Sequence, residues 1–359
     1  MSRERYAGLM SGTSLDGVDA VLVEFSGRST RVLRHVHQAF EPSLRAELLA
    51  LQAPGPGELE RAATCGNRLA RVYAQAFAAL GAHRPVLAIG CHGQTIRHRP
   101  DLGYTLQIGN AALLAELTHT RVVADFRSRD VAAGGQGAPL VPAFHAAVFG
   151  SRAESRVVLN LGGIANVSWL PAAGDVRGFD TGPGNCLLDL WAARHLGRPY
   201  DDRGAWASRG RVNAPLLAAM LSEPYFAKPP PKSTGRDLFN ESWIERHLAA
   251  NPDPQSVQAT LVEVTAKSVA SAVERYCPGA ARVIACGGGV ANADLMARMG
   301  EALAPAVLES SDRYGLEPTS VEAAAFAWLA REALEGRPGN LPGVTGAAGP
   351  RVLGALYPP

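Results

Sequence analysis

The stretch Leu9-Met10-Ser11-Gly12-Thr13-Ser14-Leu15-Asp16-Gly17-Val18-Asp19 constrains the fold more than any other part of the chain. It lies between an apolar start, Tyr6 to Met10, and an alternating run through Val18, Ala20, Leu22 and Phe25, which predicts the tip of a β-hairpin. A tip that only joined two strands needs about two residues, typically Asn-Gly or Asp-Gly. This one is longer and carries the oxygens of Ser11, Thr13, Ser14, Asp16 and Asp19. Glycines at 12 and 17 permit positive φ, which turns backbone N–H groups towards an anion. The alternative reading is a surface turn decorated with short polar side chains.

Downstream, Thr30–Phe40 alternates as a third strand, and Pro42 opens a short helix that Pro54-Gly55-Pro56-Gly57 ends. Apolar residues recur at helical spacing from Glu58 to Leu80, and Gly81 stops them. Val86–Gly90 reads as a buried strand, followed by a strand at Thr105–Gly109, a helix at Ala111–Leu117 and a strand at Arg121–Asp125. The order is then echoed. Arg156–Leu170 is again strand, glycine turn (Gly162, Gly163) and strand, followed by a strand to Asp180, helices, the strand Val283–Cys286 and the helix Ala293–Leu303. The echo predicts an α/β chain of two related lobes, each opening on a glycine turn, with the pair gripping one polyphosphate across a cleft. Residues 1–130 are expected as the first lobe and 131–339 as the second, with 340–359 able to return to the first. Residues 126–155 join them, and Gly134, Gly135 and Gly137 suggest a loose hinge or substrate loop.

Composition removes several function classes. Lysine plus arginine exceed aspartate plus glutamate by only 35 to 33, with no basic cluster, so no nucleic-acid surface is expected. No apolar run reaches the roughly 20 residues of a membrane span, and no secretory leader is evident. Five scattered cysteines without a Cys-x-x-Cys pair suit reduced thiols and a cytoplasmic location.

Neither a Walker A sequence nor a Rossmann fingerprint follows the first strand. Gly287-Gly288-Gly289 follows a strand and opens a helix, which suits close approach by a ligand or equally a tight packing corner. In Gly178-Phe-Asp-Thr-Gly-Pro-Gly-Asn185, a strand delivers Asp180 to its C-terminal end, where open α/β sheets bind ligands. Asp180 suits a general base; its alternative is helix capping, for which Asn185 is better placed. Gln94 and Thr95, after Cys91-His92-Gly93, suit polar contact to a hydroxylated substrate, and no zinc spacing is present. Arg127, Arg129 and Asp130 suit either a substrate carboxylate or a salt bridge. Glu322, in a helix of small residues, either faces the cleft or favours the first turn after Ser320.

These segments together resemble the superfamily of sugar kinases, actin and Hsp70, and within it the anhydro-N-acetylmuramic acid kinase family. The matching runs are Gly8–Asp19, Gly90–His98, Asp125–Pro142, Asn160–Asn166, Gly178–Asn185, Cys286–Asn292 and Ser320–Leu329. The resemblance implies two RNase H-like lobes around a nucleotide and sugar cleft. It implies an ATP- and Mg²⁺-dependent kinase that opens the 1,6-anhydro bridge of its amino sugar while phosphorylating O6, in peptidoglycan recycling. It places Gly12, Thr13, Ser14, Leu15, Asp16, Gly17, Val18 and Asp19 at the ATP phosphates, and Asp180 as the base that activates water. Gln94, Thr95, Arg129, Asp130 and Glu322 fall in segments at the sugar, and a homodimer is expected. Where the superfamily's second phosphate loop usually begins with Asp, this chain has Asn160, so Asp16 is expected to carry the Mg²⁺ shell. The competing readings are an ordinary hexose or amino-sugar kinase and an Hsp70-like nucleotide switch.

Overall fold

The computed structural model describes residues 3–12, 14–27, 29–248 and 252–359. The chain forms two units, Met1–Val148 with Gly315–Pro359, and Phe149–Tyr314. The crossings therefore lie at 148/149 and 314/315, against the expected 130/131 and 339/340.

In the first unit the expected hairpin is present as β1 (Glu4–Met10) and β2 (Gly17–Ser26), and β3 (Ser29–Ala39) adds a third antiparallel strand. β4 (Ile89–Cys91) then lies parallel beside β1. A small separate hairpin follows, β5 (Gln94–Arg99) with β6 (Tyr104–Ile108), and then β7 (Val122–Ala124) parallel to β4. The C-terminal strand Ala355–Tyr357 closes the edge beside β7, so the end of the chain does return to this unit. Apart from that added strand the order is β7-β4-β1-β2-β3. The helix Glu58–Ala79 lays Leu69, Tyr73 and Ala76 on this sheet, as its periodicity predicts.

The second unit repeats the plan with unrelated residues. β8 (Ser155–Leu161), β9 (Ile164–Leu170) and β10 (Arg177–Pro183) form an antiparallel set, and β11 (Ala280–Cys286) and β12 (Val307–Ser310) extend it in parallel from β8. Its order, β10-β9-β8-β11-β12, matches that of the first unit strand for strand. In both, the first strand of a hairpin is central and a later strand runs parallel beside it, the RNase H-like arrangement. The helix Pro254–Tyr276, capped by Asp253, packs Val257, Leu261, Val264 and Val269 into a core that also holds Trp243 and Phe239.

One contact fixes the interior of the first unit. The helix Val321–Leu334, rich in alanine, crosses β1 and β4 at two glycines. A Cβ on Gly8 would overlap the carbonyl oxygen of Ala323, and one on Gly90 would overlap that of Phe326. Helix and sheet touch backbone to backbone there, which only glycine permits. Gly66, inside the helix Glu58–Ala79, is different: an added Cβ would meet nothing nearer than 3.5 Å.

Gly8→Ala should therefore unfold at clearly lower denaturant, with a loss of roughly 1–3 kcal/mol or more from overpacking. Gly66→Ala should be neutral or gain up to about 1 kcal/mol from helix propensity. Urea titrations of both variants check this, and equal effects would refute the close-packed glycine floor.

Candidate active site

The turn between β1 and β2 is held from below. Ser11 is buried, its hydroxyl 2.8 Å from Tyr73 Oη and donating to the Gly93 carbonyl at 3.1 Å. Gln94 Nε2 donates to the Gly12 carbonyl at 3.1 Å, so the neighbouring β5 segment buttresses the turn. Gly12, Ser14 and Asp16 remain on its open side, and Ser14 Oγ donates to Asp16 Oδ1 at 2.7 Å. Leu15, Gly17 and Val18 pack inward, and Thr13 lies outside the described residues.

Neither Gly12 nor Gly17 takes the positive φ that the sequence suggests. Among the described residues of the turn the left-handed one is Leu15, at φ 55°, with its side chain buried. Gly17 serves instead for close approach, since a Cβ would overlap the Gln38 carbonyl of β3. Asp19 stands on β2 with Oδ1 accepting from His35 Nε2 at 3.0 Å and His37 Nδ1 at 3.1 Å. Burial raises its pKa, yet those two hydrogen bonds prevail and hold it below the usual carboxylate range.

Asp130 and Arg129 are adjacent in sequence and opposite in fate. Asp130 is fully buried: Oδ1 accepts from Asn340 Nδ2 and Thr345 Oγ1, each at 2.7 Å, and Oδ2 from the Gly137 N–H at 2.8 Å. A Cβ on Gly135 would overlap that carboxylate. The loop expected to be loose is thus fastened to the returning C-terminal segment, and Gln136 N donates to the Thr345 carbonyl at 2.7 Å. Arg129 is exposed and makes no hydrogen bond or ion pair among the described residues. Arg127 lies between these cases, its Nη1 donating to the Gly137 carbonyl at 2.7 Å and its Nε to His92 Nε2 at 3.0 Å.

That second bond fixes the histidine. Arginine only donates, so Nε2 of His92 accepts, and its Nδ1 carries the proton given to the Gly93 carbonyl at 2.8 Å. The ring packs on Phe326 with centroids 4.7 Å apart. Burial, reinforced by Arg127, depresses its pKa to about 3. Glu322 sits in the first turn of the helix Val321–Leu334, without a capping role: Ser320 Oγ donates to the Glu317 carbonyl instead. Surrounding protein raises the Glu322 pKa, while Arg127 opposes and Asp19 adds to the rise. Its side chain still opens to solvent, and that exposure keeps the stability consequence small. Thr95 Oγ1 accepts from Gln107 Nε2 at 3.2 Å. Gln94 is almost wholly buried, and its Oε1 finds no partner among the described residues.

In the second unit, the carbonyls of Gly162 and Gly163 accept from the N–H groups of Gly184, Asn185 and Cys186 at 2.8–3.0 Å. The glycine turn is thereby locked to the start of the helix Cys186–Leu196. Asn185 does not cap that helix: its Nδ2 donates to the Leu161 carbonyl at 3.0 Å. Gly287 (φ 84°) and Gly289 are packed against Asn160, Leu161 and Asn185, so two of the three glycines are a packing corner. Only Gly288 has open space where a Cβ would be.

Asp180 lies on β10 just before a bulge that opens the pairing with β9. Its backbone is clamped, the N–H donating to the Lys232 carbonyl at 3.1 Å and the C=O accepting from Tyr225 Oη at 2.8 Å. Oδ2 accepts from the Thr234 N–H at 3.0 Å, and Oδ1 has no hydrogen-bond partner among the described residues. Burial raises its pKa, against the Thr234 hydrogen bond and the Lys232 charge. Lys232 itself sits 4.8 Å above the Tyr225 ring, and burial lowers its pKa. Tyr225, Lys232 and Thr234 were not legible as site residues. They lie in a proline-rich stretch without periodicity, and only the Lys-Ser-Thr-Gly-Arg run at 232–236 carries a chemical hint.

A glycine turn and a matching sheet order in each of two units define an α/β protein built from two RNase H-like units. The anhydro-N-acetylmuramic acid kinase family model matches residues 4–359. A protein of that name from Burkholderia orbicola (strain AU 1054) is 56% identical over 98% of this chain and 96% of its own. Another from Cupriavidus pinatubonensis is 54% identical over 99% of this chain and 98% of its own. The chain belongs to the anhydro-N-acetylmuramic acid kinase family. A ROK family glucokinase from Streptomyces griseus, solved with glucose and AMPPNP, aligns at 14% identity over 91% of this chain and 99% of its own, with a TM-score of 0.42. That likeness adds nothing to the sheet order.

The depressed pKa of His92 has a measurable consequence. Between the unfolded value near 6.5 and the folded value of about 3, the unfolded chain binds a proton that the native one refuses. Stability should fall as pH drops through that window, by about 1.4 kcal/mol per pH unit for this one group. His92→Gln should remove one proton from the slope of unfolding free energy against pH between 6.5 and 4.5. An unchanged slope would mean that His92 is not the source.

Proposed function

We propose that this kinase opens the 1,6-anhydro ring of 1,6-anhydro-N-acetylmuramic acid with water and phosphorylates O6 from ATP, giving N-acetylmuramic acid 6-phosphate and ADP. The observation that carries the reading is Asp180, a carboxylate with one oxygen held by the Thr234 N–H, the other open, and a raised pKa. Such a group is oriented and basic enough to take a proton from water. Water attacks C1, the C1–O6 bond breaks, and O6 leaves onto the γ-phosphorus while ADP departs. The phosphoryl group takes the place of the proton that a glycosidase acid would deliver to the leaving oxygen, so one carboxylate suffices where a glycosidase uses two.

We assign the nucleotide phosphates to the open sides of the two glycine turns, Gly12, Ser14 and Asp16 in the first unit and Gly162 and Gly163 in the second. Gly288, with no side chain in its way, is assigned to the adenosine end. The sugar is assigned to Thr95, Arg129 and Glu322, of which Arg129 is free to meet its carboxylate. Asp130 orders the loop beside it through its three hydrogen bonds. Among the described residues no cluster of three or more potential metal ligands occurs. That suits Mg²⁺, which keeps waters and phosphate oxygens and needs only one or two carboxylates. Asp16, exposed at the turn, would hold it; when bound, the ion screens the charge between the phosphates. Asn160 is not an anion, and its Oδ1 packs against Gly287.

A homodimer and a cytoplasmic location complete the proposal. All five cysteines sit as buried thiols, which suits a reducing compartment. Among the described residues no helix is long and apolar enough to cross a membrane.

Mass spectrometry of the product formed in ¹⁸O-labelled water tests the reaction. A phosphosugar labelled at C1 is expected, with Asp180→Asn lowering kcat by several orders of magnitude and leaving the ATP Kd near wild type. An unlabelled phosphosugar, made only from sugars with a free hydroxyl, would identify an ordinary kinase instead. A second test concerns the cation beside the base. Lys232 holds the Asp180 pKa down, so Lys232→Met should raise it and move the acid limb of the kcat/KM profile to higher pH. A limb that stays in place would remove Lys232 from the tuning of Asp180.

A further inference from the structure

The strap that holds Asp180 does not end at Thr234. Two residues on, Arg236 lies along the second glycine turn: a Cβ on Gly163 would stand 3.6 Å from its Nη2 and 3.9 Å from its Nε. A larger residue at 163 would crowd the guanidinium from this position. Arg236 is exposed, and among the described residues its guanidinium makes no hydrogen bond and no ion pair. An acid that feels it is Asp189, whose carboxyl burial lifts to about 6 while Arg236 pulls it back. Among the described residues no oxygen of Asp189 reaches ion-pair distance of it, and the guanidinium is left open at its tip.

The turn beneath is equally one-sided. Its carbonyls are consumed by the N–H groups of Gly184, Asn185 and Cys186, while the N–H groups of Gly162 and Gly163 donate to nothing among the described residues. Fixed backbone donors and an unpartnered guanidinium beside the same turn make a receptor for a polyanion. A guanidinium offers a planar fork that fits phosphate oxygens in pairs, which an ammonium does not.

We infer that Arg236 receives the nucleotide's phosphates at the second glycine turn, and that the same strap thereby links phosphate binding to the placement of Asp180. The inference rests on the ATP reading above and adds to it the residue that supplies the positive charge. A phosphate seated on Arg236 fastens the strap at one end, and the Thr234–Asp180 hydrogen bond fastens it at the other.

Titration of the full chain with ATP, ADP and adenosine separates the possibilities. Loss of one charge-assisted contact predicts that Arg236→Gln weakens ATP and ADP about ten- to a hundredfold, with Arg236→Lys intermediate. Adenosine affinity and the nucleotide-free melting temperature should stay at wild-type values. ATP binding by Arg236→Gln at wild-type strength would overturn the inference and leave the ATP reading standing. Weakening that includes adenosine, or a lowered nucleotide-free melting temperature, would also overturn it, by making Arg236 a structural residue. If the wild-type chain itself bound ATP no better than adenosine, the ATP reading would fall, and this inference with it.

Discussion

The first unit depends on a contact with no side chain in it. Gly8 and Gly90 let the helix Val321–Leu334 press its backbone onto β1 and β4, and a single methyl at either glycine would push it away. Interiors are packed densely enough that such a displacement is transmitted. Phe326, on that helix, lies under the His92 ring and 5.5 Å from Phe126, so its seat sets where the histidine sits. His92 in turn accepts from Arg127, and Arg127 holds the Gly137 carbonyl. The loop that Asp130 ties down is thereby referred back to two glycines in the sheet.

The second unit reaches a comparable result by wiring. Asp180 is fixed through its own N–H, its own C=O and one carboxylate oxygen, and two of those three partners come from the strap 232–236. Backbone partners suit this task because no rotamer change can release them. The β-bulge after Asp180 belongs to the same arrangement, as it ends the regular pairing where the carboxylate must face outward.

How much of this was legible follows from what sequence signals encode. Alternation and helical spacing report which face is buried, so both hairpins, the long helix from Glu58 and the alanine-rich helix after Ser320 were readable. A glycine reports only that a side chain is unwelcome, and the reason is hidden. Gly17 read as a turn glycine and Gly287 and Gly289 equally as ligand or packing glycines, and the structure shows close packing at all three. Asn185 read as a cap because of its position, yet the Leu161 carbonyl claims its amide. Asp180 was visible because strand, acid and glycine turn are contiguous. Thr234 was not, because it reaches Asp180 from more than fifty residues away in a stretch with no period.

Asp130 and Asp180 show why residue type alone cannot assign chemistry. Both carboxylates are withdrawn from solvent, and both precede glycine-rich segments. Asp130 accepts three hydrogen bonds shared between its two oxygens, all from its own unit, and those bonds commit it to the loop that it organises. Asp180 accepts one, leaving Oδ1 open, and burial without saturation raises its proton affinity. A carboxylate stabilised by several donors is a poor base, because each bond favours the charged form it must give up. On the proposed reading Asp180 rather than Asp130 is the base, and a second donor aimed at its carboxylate would lower its proton affinity.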